Sequence, residues 1–210
     1  MERSVLILDV DGVVIRGRPN DGRPWYATLQ EDLGIDRDML TERFFSAGFR
    51  TALRGQADIL ELLEPLFAEQ EIETSVEQFV DYWFRNDARL NDELIEYVQS
   101  LRTRVDVHCF LATNQERRRT KYIRETLGLD AHFDAVVSSS DVGACKPEPE
   151  FFRAAHARLG LEPEDRVLFT DDREPFVEAA VRHGWQARLF QGNADLKTYV
   201  ERWLRAAKTN

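Results

Sequence analysis

The chain has 210 residues, 43% of them hydrophobic, with thirteen Phe and four Trp, a composition that fits a folded chain with a sizeable core and excludes a disordered one. A formal net charge of −10 disfavours non-specific binding to nucleic acid or anionic membranes, and no window approaches the roughly 20 apolar residues of a membrane span. The two cysteines, Cys109 and Cys145, fit no metal or redox spacing. With no signal peptide ahead of Asp9, the expected compartment is a reducing cytoplasm, without nucleic-acid or membrane partners.

The first predicted element is the apolar run Val5–Leu8, which ends in Asp9-Val10-Asp11-Gly12. An apolar strand entering a core is not followed by two carboxylates without cause, because Asp is among the residues least often buried unpartnered. The plain alternative is a polar turn after a strand. In an open α/β sheet, ligands bind just beyond the carboxyl ends of the strands, where Asp9 and Asp11 would sit and where Gly12 lets the backbone turn sharply. A Gly/Arg/Pro/Asn stretch, Arg16 to Pro24, reads as an exposed loop. From Trp25 to about Leu90 the periodicity is helical. Four stripes recur: Tyr26, Leu29 and Leu33; Leu40, Phe44 and Phe45; Ile59 to Phe67; and Val76 to Phe84. They predict a bundle of four helices.

Beyond Leu90, helices and strands alternate. Helices over 92–101, 116–127, 150–159 and 175–183 precede strands over 105–112, 135–137, 167–169 and 187–190, and a last helix spans 195–205. Alternation of this kind predicts βαβ units and a parallel sheet with right-handed crossovers. Residues 1–17 and 91–210 are therefore expected to form an α/β core. Residues 18–90 are expected to form a helical insertion over its active face, a candidate lid.

Four polar clusters fall at the carboxyl ends of predicted strands: Asp9/Asp11, Thr113-Asn114, Lys146-Pro147-Glu148-Pro149 and Asp171-Asp172. Taken singly, Thr113-Asn114 could cap a helix, Lys-Pro-Glu-Pro could be a helix entrance, and the aspartate pair could be turn residues. Their order and shared placement argue for one site.

With DVDGV, LATN, CKPEP and FTDD in this order, the chain resembles the haloacid dehalogenase superfamily of phosphatases, and its insertion resembles that superfamily's all-helical cap. The resemblance implies a Rossmann-like parallel sheet with the first and fourth motif strands adjacent. The residues suit the chemistry. Phosphate-ester hydrolysis needs positioning and charge neutralisation above all. A hard, oxygen-lined site suits Mg²⁺, with Asp9 and Asp171 as carboxylate ligands. The resemblance adds the Asp11 main-chain carbonyl as a third ligand, and Asp172 beside it, holding a metal-bound water or Lys146. Asp9 would attack phosphorus to give an aspartyl-phosphate, Asp11 would act as general acid and then base, and Lys146 would offset repulsion between Asp9 and the substrate. The Thr113 hydroxyl and backbone N–H groups, Asn114 included, would hold the phosphoryl oxygens.

Dehalogenases of the superfamily lack the second aspartate, so Asp11 favours phosphoryl transfer. Phosphohexomutase-like members have an acidic residue where Thr170 stands and a basic residue three beyond a cap glycine, where Asp58 follows Gly55. Both departures count against a mutase, the enzymatic alternative; a non-catalytic binding or regulatory protein on the same fold is the other. Arg16, Arg18, Arg23, Trp25, Arg50 and Arg54 are candidates for gripping a second anionic group or sugar hydroxyls, against simple solvation. Arg117, Arg118 and Arg119 read as a solvated helix face. The expected substrate is a small phosphorylated metabolite, a sugar phosphate first and a nucleotide second.

Overall fold

A computed structural model of the protein describes residues 3–104 and 107–207. Its centre is a five-stranded sheet of β1 (Ser4–Leu8), β2 (Val107–Thr113), β3 (Ala135–Ser138), β4 (Arg166–Asp171) and β5 (Gln186–Leu189). All neighbouring strands pair in parallel, in the order β3-β2-β1-β4-β5. The expected second strand began at Val105, which with Asp106 lies outside the described residues, as do 1–2 and 208–210.

Strand periodicity sorts the core. Leu6 and Leu8 face the same way as Cys109, Leu111 and Leu168, while Val5 and Ile7 share the other face with Phe110, Ala112, Val167 and Phe169. Both faces are apolar because both are covered, the usual condition of a parallel sheet.

Ahead of the second strand come α1 (Leu29–Leu33), α2 (Arg37–Leu40, prolonged by a π-type turn over Thr41–Phe45), α3 (Phe49–Leu53), α4 (Ile59–Glu69) and α5 (Val76–Asn86). They enclose an apolar cluster of their own, including Leu29, Phe44, Ile59, Leu63, Phe79 and Trp83. The caps are as the side chains allow: Asp58 accepts from Leu60 N at 2.9 Å at the start of α4, and Ser75 and Gln78 form a reciprocal capping box on α5. The expectation of four helices missed α3. Five residues are too few to carry a helical period.

The remaining helices are α6 (Asp92–Arg104), α7 (Arg117–Lys121, prolonged by a π-type turn over Tyr122–Thr126), α8 (Ser139–Val142), α9 (Pro149–Arg158), α10 (Glu174–His183) and α11 (Asn193–Ala207). Helices α6 and α11 cover one face of the sheet through Leu94, Val98, Leu101, Leu196 and Val200; α9 and α10 cover the other through Phe151, Phe152, Ala155 and Ala180. Cys109 and Cys145 are both buried free thiols, and burial is the main cause that pushes the Cys109 thiol up to about 12. Among the described residues no helix is long and apolar enough to cross a membrane.

Candidate active site at the carboxyl ends of the strands

The first motif is a turn clamped from below. The Val10 carbonyl accepts hydrogen bonds from the N–H groups of Val14 and Ile15, each at 2.8 Å, and Gly12 N donates to Ile15 O at 2.8 Å. Val10, Val13, Val14 and Ile15 are buried, so the chain doubles back on its apolar side and leaves Asp11 and Gly12 open to solvent. Gly12 has φ +78°, and a Cβ there would fall 2.1 Å from Asp172 Oδ2. Both its conformation and that close approach require glycine. Asp9 extends the β1–β4 pairing by donating its N–H to Thr170 O at 2.9 Å.

Lys146 is the hub. It is 3% exposed, and its Nζ lies 2.8 Å from Asp9 Oδ1, 2.6 Å from Asp171 Oδ2 and 3.0 Å from the Ala112 carbonyl oxygen. A buried ammonium is tolerable only when paired and hydrogen-bonded, and here all three donors are used. Burial opposes its charge, but Asp9 and Asp171 outweigh that and raise its affinity for the proton. For Asp171, burial is the leading cause that lifts the carboxyl to about 7; the Asp9 charge adds to it and Lys146 opposes it. Asp172, expected to hold either a metal-bound water or Lys146, is not among the ammonium's partners; it lies over Gly12 instead.

Asn114 does something sequence reasoning did not foresee. Its side-chain Nδ2 donates to Lys146 O at 2.9 Å and its Oδ1 accepts from Lys146 N at 2.8 Å. One amide thus fixes both backbone polar groups of the lysine. Thr113 ends β2 beside it, buried, and its side chain lines the same pocket with no hydrogen bond at its hydroxyl among the described residues.

Asp11 stands at the mouth. The buried Gln115 donates its Nε2 to Asp11 Oδ2. Crowding by the walls of the cleft is the main cause that lifts the Asp11 carboxyl to about 7; Asp87 and Asp9 add to it, while Arg119 and Gln115 oppose it. Water still reaches Asp11, so its desolvation comes from the surrounding walls and not from enclosure.

The reading of Arg117, Arg118 and Arg119 as a solvated face is corrected at Arg119, which is 1% exposed. Its guanidinium donates to Phe84 O at 3.1 Å and to Asp87 O, pairs with the Asp87 carboxylate at 3.4 Å, and lies 5.3 Å from the Phe84 ring centroid. It satisfies the carbonyls at the end of α5, where a cation is favoured. A signal existed: Arg119 and the buried Ile123 are four apart and share a helix face.

The expected arginines of the insertion are mostly engaged. Arg50 of α3 and Arg54 just after it both pair with the Glu148 carboxylate, Arg54 at 2.6 Å. Arg18 donates to Thr28 Oγ1 at 2.9 Å, and Arg23 to Ala27 O at 3.2 Å. Trp25 packs in the helical bundle, 5.5 Å from Trp83. Arg16 lines a separate polar hollow beyond Gly12, together with Arg89. Asp58 pairs with Arg118 at 2.7 Å.

The pocket here, of about 300 Å³, is lined by Asp9, Asp11, Gly12, Thr113, Asn114, Lys146 and Asp172, and also by Phe49 and Leu53 of α3, Arg173 just ahead of α10 and Phe176 within it. The last four were not singled out from sequence, because no motif contains them. One carboxylate oxygen each from Asp9, Asp171 and Asp172 lies within 4.8 Å of the others. All-oxygen, acidic and partly buried, this donor set fits a hard divalent cation.

A family model for haloacid dehalogenase-like hydrolases matches residues 4–184, and the chain belongs to that family. The GMP/IMP nucleotidase YrfG of Escherichia coli is 31% identical over 108 residues, which is 51% of this chain and 48% of that protein; the match spans about half the nucleotidase's length. The phosphoglycolate phosphatase of Aquifex aeolicus is 26% identical over 190 residues, covering 88% of this chain and 83% of that protein. The fructose-1-phosphate phosphatase YqaB of Escherichia coli is 26% identical over 186 residues, covering 87% and 93%. Among solved structures, a HAD-like family hydrolase from Porphyromonas gingivalis superposes with a TM-score of 0.74 at 23% identity, over 98% of each chain. A magnesium complex of the HAD family enzyme BT-2542 from Bacteroides thetaiotaomicron gives 0.72 at 20% identity, over 90% of this chain and 94% of that one. These two likenesses show the fold.

Proposed function

We propose that the protein is a magnesium-dependent phosphoric monoester hydrolase of small phosphorylated metabolites, working through an aspartyl-phosphate on Asp9. The observation that carries this is the bridging of Asp9 and Asp171 by the buried Lys146 ammonium, beside an open Asp11. Relatives named for fructose 1-phosphate, phosphoglycolate and GMP/IMP hydrolysis support a sugar phosphate or nucleotide as substrate. Residues 18–90 act as the cap over a core of residues 1–17 and 91–210.

Asp9, Asp171 and the Asp11 main-chain carbonyl would hold the ion, with Asp172 beside them. Bound there, magnesium would supply positive charge to the phosphate oxygens and fix the ester's orientation. Lys146 holds Asp9 by one oxygen and leaves the other for attack on phosphorus; its charge offsets the approach of two anions. The Asp9–phosphorus bond forms as the ester bond breaks, and Asp11 gives its proton to the leaving oxygen. Asp11 then takes a proton from water as that water displaces Asp9. A carboxyl poised near 7 suits both duties. The Thr113 hydroxyl binds a phosphoryl oxygen, and Asn114 holds Lys146 in place while its N–H faces the phosphate.

An alkoxide needs a proton to leave and a halide does not, so Asp11 favours ester hydrolysis over dehalogenation. A mutase reading is disfavoured because the Thr170 hydroxyl donates to Arg188 O at 2.9 Å and Asp58 is bound to Arg118. Phosphate release from a panel of sugar phosphates, nucleotides and an aryl phosphate tests the reading, with EDTA and Asp9→Asn as controls. Magnesium-dependent release abolished by both controls is expected. No release from any ester would leave a binding protein on this fold, and an isomeric product without free phosphate would make it a mutase.

A further inference from the structure

Of the two cations that line the pocket, Lys146 and Arg173, one is matched and, among the described residues, the other is not. Lys146 is neutralised by Asp9 and Asp171, Arg50 and Arg54 by Glu148, Arg118 by Asp58 and Arg119 by Asp87. Arg173 lines the pocket, yet among the described residues its guanidinium has no hydrogen bond or ion pair. Asp172, its neighbour in the chain, points elsewhere: its carboxylate lies over Gly12, within the acidic group of Asp9 and Asp171.

Arg173 is nevertheless held. Its backbone N–H donates to Asp171 Oδ1 at 2.9 Å. Its guanidinium carbon lies 4.5 Å from the centroid of the buried Phe176 ring, and the Lys146 ammonium lies 5.2 Å from the same centroid. The cation of the nucleophile's site and the unpaired one thus both approach the same ring. A guanidinium laid on an aromatic face keeps its N–H edge free for a planar, two-oxygen acceptor. The cap's contribution to this pocket, Phe49 and Leu53, is apolar and offers no competing anion.

We propose that Arg173 determines specificity by pairing with a second anionic group, a carboxylate, on the leaving portion of a compact phosphate monoester. This rests on the phosphatase reading and narrows its substrate class. A charge-assisted hydrogen bond at a solvent-accessible site is worth about tenfold in affinity.

The test compares two probes that differ only in that group, 3-phosphonopropionate and 3-hydroxypropylphosphonate, by calorimetry with magnesium present. The proteins are wild type, Arg173→Gln and Arg173→Lys. The wild type is expected to prefer the carboxylate probe about tenfold, Arg173→Gln to lose that preference and Arg173→Lys to recover part of it. Propane-1,3-bisphosphonate serves as a third probe: a larger Arg173-dependent gain for it than for the carboxylate would overturn the choice of carboxylate. Equal binding of the two monophosphonates by the wild type, or a preference that survives in Arg173→Gln, would remove Arg173 from recognition and leave the phosphatase reading standing. If neither these probes nor inorganic phosphate bind, the phosphatase reading itself fails, and this inference with it. The kcat/KM ratio for the corresponding pair of phosphate esters, with an ester oxygen in place of the methylene on phosphorus, gives a second readout. Arg173 is exposed, so its variants are expected to fold, which an unchanged Tm checks.

Discussion

The floor of the cleft and its roof are built by different means. The floor is the carboxyl ends of β1, β2 and β4, where Lys146 is fixed by two carboxylates, a carbonyl and the Asn114 amide, all at hydrogen-bond distance. The roof is the α3 face, joined to the core by Arg50 and Arg54 on Glu148 and, from the start of α4, by Asp58 on Arg118. Arg50 and Arg118 stay substantially exposed in those pairs. Breaking a buried pair costs about 3–5 kcal/mol; an exposed pair is worth about 0–1 kcal/mol. The floor is therefore a single fixed arrangement, whereas the roof rests on it through contacts that separate cheaply. Gly55 shows how closely it rests: a Cβ there would meet Ser140 O at 2.5 Å. Arg119 is the exception, a buried cation that ties the end of α5 to the core.

The largest expected effect is at the floor. Asp9→Asn keeps an oxygen for Lys146 and so should fold, but it removes the proposed nucleophile. Turnover should fall on the order of 10³- to 10⁶-fold. Single-turnover assays on an aryl phosphate check this. A variant retaining a tenth of wild-type turnover would break the assignment of Asp9, and with it the idea that the floor carries the chemistry.

Asp11 sits between the two regions, and its replacement separates their roles. Asp11→Asn keeps the main-chain carbonyl, so magnesium affinity should change little, whereas Asp171→Asn removes a proposed anionic ligand and should weaken it strongly. Turnover of Asp11→Asn should still drop about 10²- to 10⁴-fold. If Asp11 is the acid it must be protonated, and wild-type kcat/KM should decline as pH rises past about 7. Stability carries the same sign. A carboxyl raised in the folded state favours folding at low pH and loses that contribution as pH climbs through about 7. In metal-free protein the Tm of Asp11→Asn should therefore exceed wild type by a margin that grows from pH 5 to pH 8. A constant margin would mean that the cleft walls do not hold the proton on Asp11.

This division also decides what the sequence could reveal. Strands β1 and β4 are short apolar runs ending in Asp9 and Asp171, a local pattern with a physical cause, so the sheet and its acidic edge were readable. The amide clamp of Asn114 on Lys146 joins residues 32 apart, and no period links them. Helix α3 is too short to show a face, so Phe49 and Leu53 stayed hidden. Arg50 and Arg54 look from sequence like candidates for gripping an anion, and the anion they hold is the chain's own Glu148. Arg119 is disguised by the two exposed arginines that precede it, although its spacing from Ile123 places it on the buried side.

The attachment at Arg119 should behave as part of the floor. Arg119→Met removes the partner of Asp87 and the donor to Phe84 O, and the cost should be about 3 kcal/mol. For a chain of this size that is a fall in Tm of roughly 6–12 °C. Thermal unfolding measures it. A change below 2 °C would mean that α5 is held by apolar packing alone, and the contrast between a buried anchor and exposed contacts would lose its one link.

The smallest effect, and the one that sharpens the comparison most, is expected at Glu148. Glu148→Gln retains an oxygen for the Cys145 N–H, which Glu148 Oε2 accepts at 3.3 Å, so the loop carrying Lys146 should keep its shape. What it loses is the charge that holds Arg50 and Arg54. Both pairs are partly exposed, so the stability cost should be about 1 kcal/mol or less, a few degrees in Tm at most. The effect on catalysis should fall on KM and not on kcat, because α3 contributes Phe49 and Leu53 to the pocket but no reacting atom. It should also depend on salt. In the wild type, raising ionic strength to about 0.5 M screens the exposed pairs and should move KM toward the variant's value. In Glu148→Gln the same salt should do much less. If Glu148→Gln instead destabilises the protein as much as Arg119→Met, or lowers kcat while sparing KM, the roof is as rigidly built as the floor, and Glu148 belongs to the machinery that positions Lys146.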